Sequence, residues 1–199
     1  MIIDERLVTY INSLDTGNTE ILDTIEKEAL DTYVPIIRKE MQGFLKLLLA
    51  MKRPARILEV GTAVGFSAIL MAEYDPVECE ITTIENYEKR IPIARENFKR
   101  AGKEHQITLL EGDATEILKE LTEPYDFIFM DAAKGQYIHF MPDILRLLKP
   151  EGLLVSDNVL QDGDIIESHF IVTRRNRTIP KRLREYLYAL THSEELVTS

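Results

Sequence analysis

The sequence predicts an α/β fold with a doubly wound, mostly parallel sheet, and three observations predict it. From Arg56 onward, short strand-like runs alternate with helical segments. The runs are almost continuously apolar, as strands covered on both faces must be. The first run ends in a glycine turn that opens a helix. The 199 residues suit one domain, read as a helical cap over 1–53 and a Rossmann-like core over 54–199.

The cap reads as helices at about 5–14, 20–32 and 37–52. In the third, Met41, Phe44, Leu45, Leu48 and Leu49 recur at helical spacing, and Arg53-Pro54 ends it. Strand 55–60 (ARILEV) leads into helix 65–74. Strand 79–85 (CEITTIE), rich in β-branched residues, precedes helix 87–101, which Gly102 stops. Strand 106–112, helix 114–121, strand 125–131, helix 136–148 and strand 152–157 follow. After a loop come a basic helix near 178–191 and the start of a last strand in ELVTS (195–199).

With 45% hydrophobic and 29% charged residues, a packed core is expected rather than disorder. No apolar run approaches the roughly 20 residues that span a bilayer; the stretch from Phe44 to Met51 is broken by Lys46. No membrane partner is therefore expected. The N-terminus lacks the basic-then-apolar pattern of a secretory signal. A single cysteine, Cys79, forms no internal disulfide and suits a reducing, cytoplasmic setting. His105, His139, His169 and His192 are scattered, without zinc-ligand spacing.

The net charge of −10 disfavours nucleic acid for the chain as a whole. Residues 171–190 are the exception. Arg174, Arg175, Arg177, Lys181, Arg182 and Arg184 face only Glu185 there, a net +5 that leaves −15 on the rest. Such a patch suits phosphates. It also fits a solvated amphipathic helix, because Ile179, Leu183, Leu187 and Leu190 supply an apolar face.

In a doubly wound sheet ligands sit beyond the carboxyl ends of the strands, and the chemically interesting residues fall there. The first strand runs through Glu59, Gly61, Gly65 and Ser67, a turn whose glycines admit a ligand and whose helix start attracts an anion. The spacing is G-x-x-x-G rather than the dinucleotide G-x-G-x-x-G. Glu85 ends the second strand, where an acid suits ribose hydroxyls or plain solvent. Asp113-Ala114, after the third, suits the edge of an adenine or an ordinary helix cap. Asp131 ends the fourth strand, with Lys134 three residues on, and Asp157-Asn158 ends the fifth. Two carboxylates and an amide make an all-oxygen donor set suited to Mg²⁺, with Mn²⁺ fitting the same ligands. A nearby cation and partial burial would lower the Lys134 pKa and let it act as a base; electrostatic positioning is the competing role.

Together, E-x-G-x-x-x-G, Glu85 and Gly-Asp-Ala resemble the class I S-adenosylmethionine-dependent methyltransferases. The stretch LEVGTAVGFSAILMA, with D-x-x-K and D-N, resembles their catechol and caffeoyl-CoA O-methyltransferase family. The resemblance implies a seven-stranded type of sheet, closed by an antiparallel hairpin after ELVTS. It places Glu59, Gly61 and Ser67 near the methionine part of S-adenosylmethionine and Glu85 on the ribose. Asp113 and Ala114 come near the adenine, and Val34-Pro35 covers the cofactor. It makes Asp131, which also borders the cofactor, a ligand of Mg²⁺ with Asp157 and Asn158, and Lys134 the catalytic base. Family members are commonly homodimers, and the N-terminal helices are the interface material.

Two acceptor classes have the adjacent oxygens that a chelated cation favours: catechols, and 5-hydroxyuracil with its vicinal O4 and 5-hydroxyl. The chain, and its basic segment most of all, is similar to the bacterial tRNA 5-hydroxyuridine methyltransferases. That likeness implies methylation of wobble 5-hydroxyuridine to 5-methoxyuridine and a tRNA anticodon stem-loop as partner. Arg174, Arg175, Arg177, Lys181 and Arg182 are then the RNA contacts. A catechol-like small molecule is the alternative acceptor. An RNA-binding protein that has lost catalysis is a third reading, opposed by the complete set of Asp131, Lys134, Asp157 and Asn158.

Overall fold

The computed structural model describes residues 4–166 and 178–199. Five parallel strands form one sheet: β1 (Arg56–Val60), β2 (Glu80–Glu85), β3 (Ile107–Glu111), β4 (Tyr125–Met130) and β5 (Leu148–Ser156). Their order is β3-β2-β1-β4-β5. The chain winds outward from β1 to β3, then returns to the other side of β1 for β4 and β5. The crevice between β1 and β4 is therefore the switch point.

Alternation along the strands builds two cores. Ile57, Ile81, Phe127, Phe129 and Val155 face one side, with buried residues of α2 (Glu20–Asp31), α3 (Lys39–Lys52), α4 (Phe66–Tyr74) and α5 (Ile91–Arg100). Leu58, Val60, Ile84, Ile128 and Met130 face the other, with α6 (Ala114–Glu120), α7 (Tyr137–Leu147) and α8 (Thr178–Thr191). Period-two side chains on strands buried on both faces require this split. Helix α4 is buried at every residue from Phe66 to Ala72, consistent with its almost wholly apolar sequence. Cys79, just before β2, is 1% exposed. Burial, followed by the charge of Asp75, pushes its thiol up to about 12. No described helix is long and apolar enough to cross a membrane.

The elements follow the sequence reading closely, with three differences. The helix expected from residue 87 begins at Ile91, because Pro92 is tolerated only in a first turn. Glu195–Ser199 does not continue as a strand, and Val197 is fully exposed. These residues pair with no strand edge; instead the Thr198 hydroxyl donates to the Leu190 carbonyl of α8 (2.9 Å). The described sheet accordingly has five strands rather than the seven of the implied type. The helix α1 (Glu5–Ser13) is capped by the Asp4 carboxylate on the Arg6 N–H. It is joined to α3 by a hydrogen bond from Asn12 Nδ2 to Glu40 Oε1 (2.8 Å).

The fully buried Phe129 at the centre of β4 tests the packing. Phe129→Ala is expected to destabilise the protein by about 3–5 kcal/mol in urea denaturation.

Candidate active site

The sheet register sets the site. Val60 lies level with Ile84 on one side and Met130 on the other, and Met130 lies level with Ser156. Gly61, Glu85, Asp131 and Asp157 therefore emerge at the same edge. Backbone bonds carry the alignment past the strands: Gly61 N to Ile84 O (3.1 Å), Asp131 N to Val60 O (3.0 Å) and Asp157 N to Met130 O (2.9 Å). A cavity of about 2080 Å³ opens there. Single small-ligand pockets run to about 1,000 Å³, so this one has room for a cofactor and an acceptor together. Gly61, Ser67, Glu85, Asp113, Ala114, Asp131, Lys134, Asp157 and Asn158 all line it, as the motifs predict.

Gly61 has φ +109°, and a Cβ there would strike the Asp131 carbonyl. Glycine is needed on both counts, conformation and space. Past it, α4 starts with Phe66 and Ser67 on the cavity wall. The first bond carried into the helix is Ile69 N to Gly65 O (3.0 Å), which leaves the first-turn N–H groups for an anion.

Glu59 stands behind that wall, fully buried and outside the cavity lining. It accepts hydrogen bonds from the Ser67 and Thr83 hydroxyls (both 2.5 Å), and Thr83 meets Thr62 Oγ1 at 2.6 Å. Burial pushes its carboxyl up to about 7, against those two hydrogen bonds; the charges of Asp131 and Glu85 add to the rise. Glu85 is 9% exposed. Its oxygens accept from the backbone N–H of Ala63 (2.7 Å), Asn86 (3.0 Å) and Tyr87 (2.8 Å). A carboxylate takes about four such bonds, and Glu85 lines the cavity, so its remaining acceptor capacity is open to a ligand there. Asp113 caps α6 through the Thr115 N–H (2.8 Å), which holds its carboxyl below the usual range.

The second half of the site gathers around Asp131. Lys134 Nζ donates to Asp131 Oδ1 (2.6 Å) and to the Tyr137 hydroxyl (3.1 Å). Tyr137 is fully buried and donates to the Met130 carbonyl (2.9 Å). Burial, with the charge of Asp131 behind it, raises the phenol far above its ordinary value. Burial also raises the Asp157 carboxyl, and the Asp131 charge adds to it, opposed by Lys134. Asn158 is held at φ +51°, a conformation asparagine tolerates. Among the described residues no three His, Cys, Asp or Glu side chains form a ready metal cluster. The donor set is two acids and an amide, all oxygen. Burial and mutual repulsion of the acids favour a cation between them.

One site expectation needs revision. Val34 does not line the cavity: its N–H is tied to the Ala29 carbonyl (2.8 Å) and its side chain packs on the core, so the wall begins at Pro35 and runs to Arg38. Arg182 donates to the Gly135 carbonyl beside Lys134 (3.1 Å), and Lys181 lies 3.8 Å from Glu185. Arg174, Arg175 and Arg177 lie outside the described residues. The motifs passed over Thr62, Thr83 and Tyr137. For Thr83 the signal was a β-branched hydroxyl level with Glu59 on the neighbouring strand, for Thr62 a hydroxyl in the glycine turn three residues past Glu59, and for Tyr137 a tyrosine three residues past Lys134. Val8, Thr9, Met41 and Phe44 also line the cavity, from α1 and α3.

A doubly wound sheet with a glycine turn and an acid–lysine–acid group over one crevice defines a class of group-transfer enzymes on this fold. The chain is matched over residues 12–190 by the O-methyltransferase family, to which it belongs. The catechol O-methyltransferase of Niastella koreensis is 38% identical over 84% of this chain and 78% of its own length. The S-adenosylmethionine complex of a Streptomyces achromogenes O-methyltransferase involved in tomaymycin synthesis superposes with a TM-score of 0.83, at 26% identity. The match spans 98% of this chain and 89% of that one. A Bacillus cereus O-methyltransferase in complex with S-adenosylhomocysteine gives 0.81 at 25% identity, over 94% and 85%.

Glu59 yields a pH prediction. Its folded pKa lies above the ordinary carboxyl value, so the stability it contributes is complete below about 4.5 and is lost as pH rises through about 7. Melting temperatures of ligand-free wild type and Glu59→Gln, measured from pH 5 to 8, should diverge in the variant's favour as pH rises. Gly61→Ala should lose cofactor binding by calorimetry and destabilise the fold by about 1–3 kcal/mol from backbone strain alone.

Proposed function

We propose that this chain transfers the methyl group of S-adenosylmethionine to one oxygen of a small catechol-like acceptor held at Mg²⁺ or Mn²⁺. The observation that carries the reading is the single cavity that joins the glycine turn to Asp131, Lys134, Asp157 and Asn158. The relatives named for catechol and for S-adenosylmethionine complexes support it.

The donor supplies a sulfonium methyl, and the cation supplies positive charge that acidifies a hydroxyl at neutral pH. The rest falls to this chain. The α4 start receives the methionine carboxylate, while Glu59, charged most easily beside an ammonium, stands behind it. Glu85 offers its remaining acceptor position to a ribose hydroxyl, and the Asp113-Ala114 turn borders the adenine. Asp131, Asp157 and Asn158 would hold the cation, whose charge would favour an acceptor with two adjacent oxygens. Lys134 Nζ takes the hydroxyl proton as the oxygen is methylated. Val8, Met41 and Phe44 give the cavity apolar lining of the kind that suits a planar ring.

A second acceptor, 5-hydroxyuridine in a tRNA anticodon loop, has the +5 charge of residues 171–190 in its favour. Among the described cations of that segment, Arg182 and Arg184 are bonded to backbone carbonyls of this chain, which favours the small acceptor. A homodimer is part of the proposal. Leu7, Tyr10, Ile11 and Leu14 form one stripe at helical spacing on α1 and its C-terminal end, each more than half exposed, and a second copy would cover it.

Methyl transfer assayed with a simple catechol, with tRNA carrying 5-hydroxyuridine and with unmodified tRNA should show turnover of the catechol that chelator abolishes. Turnover confined to the modified tRNA would reverse the choice of acceptor. Asp157→Ala should abolish metal-dependent transfer while calorimetry still finds cofactor binding; full activity would reject the metal assignment. Leu7→Glu with Ile11→Glu should convert a dimer to a monomer in light scattering.

A further inference from the structure

We infer that Tyr137 is a positioning residue that holds the amine of Lys134 in the direction from which it meets the acceptor. The inference rests on Lys134 as the base. Lysine carries its amine on a flexible four-carbon stem, so a base of this type works only when something fixes the nitrogen. Beyond Cε, the nitrogen has three tetrahedral positions. One points to Asp131 Oδ1 (2.6 Å) and one to the Tyr137 hydroxyl (3.1 Å). The third has no partner among the described residues, and Lys134 lines the cavity.

The two anchors are not equivalent. Asp131 would also hold the cation, and a carboxylate drawn toward a divalent ion would hold the lysine less firmly. The phenol is neutral and makes no such second contact. Its single proton goes to a backbone carbonyl, that of Met130 (2.9 Å) with that of Asp157 farther off (3.5 Å), so toward Lys134 its oxygen accepts. The ring is fully buried and stands edge-on to Tyr186, with centroids 5.5 Å apart at 71°. Tyr186 is itself fixed by Ser156 Oγ at 2.7 Å. The Met130 carbonyl also accepts the Asp157 N–H (2.9 Å). One backbone oxygen thus sets the height of both the phenol that holds the base and the strand end that supplies Asp157.

Tyr137→Phe removes the hydroxyl and keeps the ring contact with Tyr186; the Met130 carbonyl retains its bond from Asp157. The expected result is a fall in kcat of about tenfold or more, since misdirected reacting groups cost rate before affinity. KM for both substrates, cofactor affinity and melting temperature should stay near wild type. Single-turnover rates should then show that Tyr137→Phe has no further effect once Lys134→Ala is in place, because the phenol acts through the amine. An unchanged kcat overturns the inference, as does a raised acceptor KM at unchanged kcat, or an equal loss in the Lys134→Ala background. Full activity of Lys134→Ala alone strikes the base assignment underneath, a result distinct from the others.

Discussion

Everything at this site depends on two strands meeting without a side chain between them. At Gly61 the chain leaves β1 in a left-handed turn, and the Asp131 carbonyl occupies the space a Cβ would fill. That contact brings the glycine turn, the proposed seat of the methyl donor, within reach of the loop that carries the acids and the lysine. The switch point supplies the crevice; the glycine makes it narrow. If β1 and β4 were spread by even a methyl group, two half-sites would remain on a sound sheet with no shared volume.

Electrostatics follows from this closeness. Glu59, Glu85, Asp131 and Asp157 crowd one end of the sheet, and the chain meets the cost differently for each. Glu85 is satisfied by three backbone N–H groups. Asp131 shares its charge with Lys134. Glu59 has only two hydroxyls, and Asp157 has Lys134 at a remove; both carboxyls are pushed upward, mainly by burial. The two acids left least compensated stand behind the two places where the proposed ligands bring positive charge, the sulfonium amino acid and the metal. A buried acid that is costly alone is thereby a source of affinity once a cation arrives.

Most of the fold was legible because each strand is largely apolar and leads into a charged or glycine residue, a signal that survives without knowledge of partners. The end of α8, read from the basic helix near 178–191, matches that observed at Thr191. What stayed hidden depends on distance in space. Nothing local shows that Thr83, on the next strand, bonds Glu59, or that Tyr137 closes a chain from Lys134 to the Met130 carbonyl. Val34 was placed from a resemblance, and the turn after α2 swings it into the core one residue before the wall begins. The basic segment adds a point that composition leaves out. Composition counts charges but does not show their direction, and Arg182 reaches inward to the loop that carries Lys134.

The lone thiol has a use that its inertness creates. Cys79 is 1% exposed, and its ionisation is displaced to about 12, so alkylating reagents and peroxide find almost no thiolate while the fold is closed. When the first half of the sheet opens, the sulfur returns to ordinary reactivity. The rate at which a thiol reagent consumes this one atom is therefore a built-in gauge of how often β2 is released. Any ligand that clamps the crevice can be ranked by how far it slows that consumption, without a label being added to the protein.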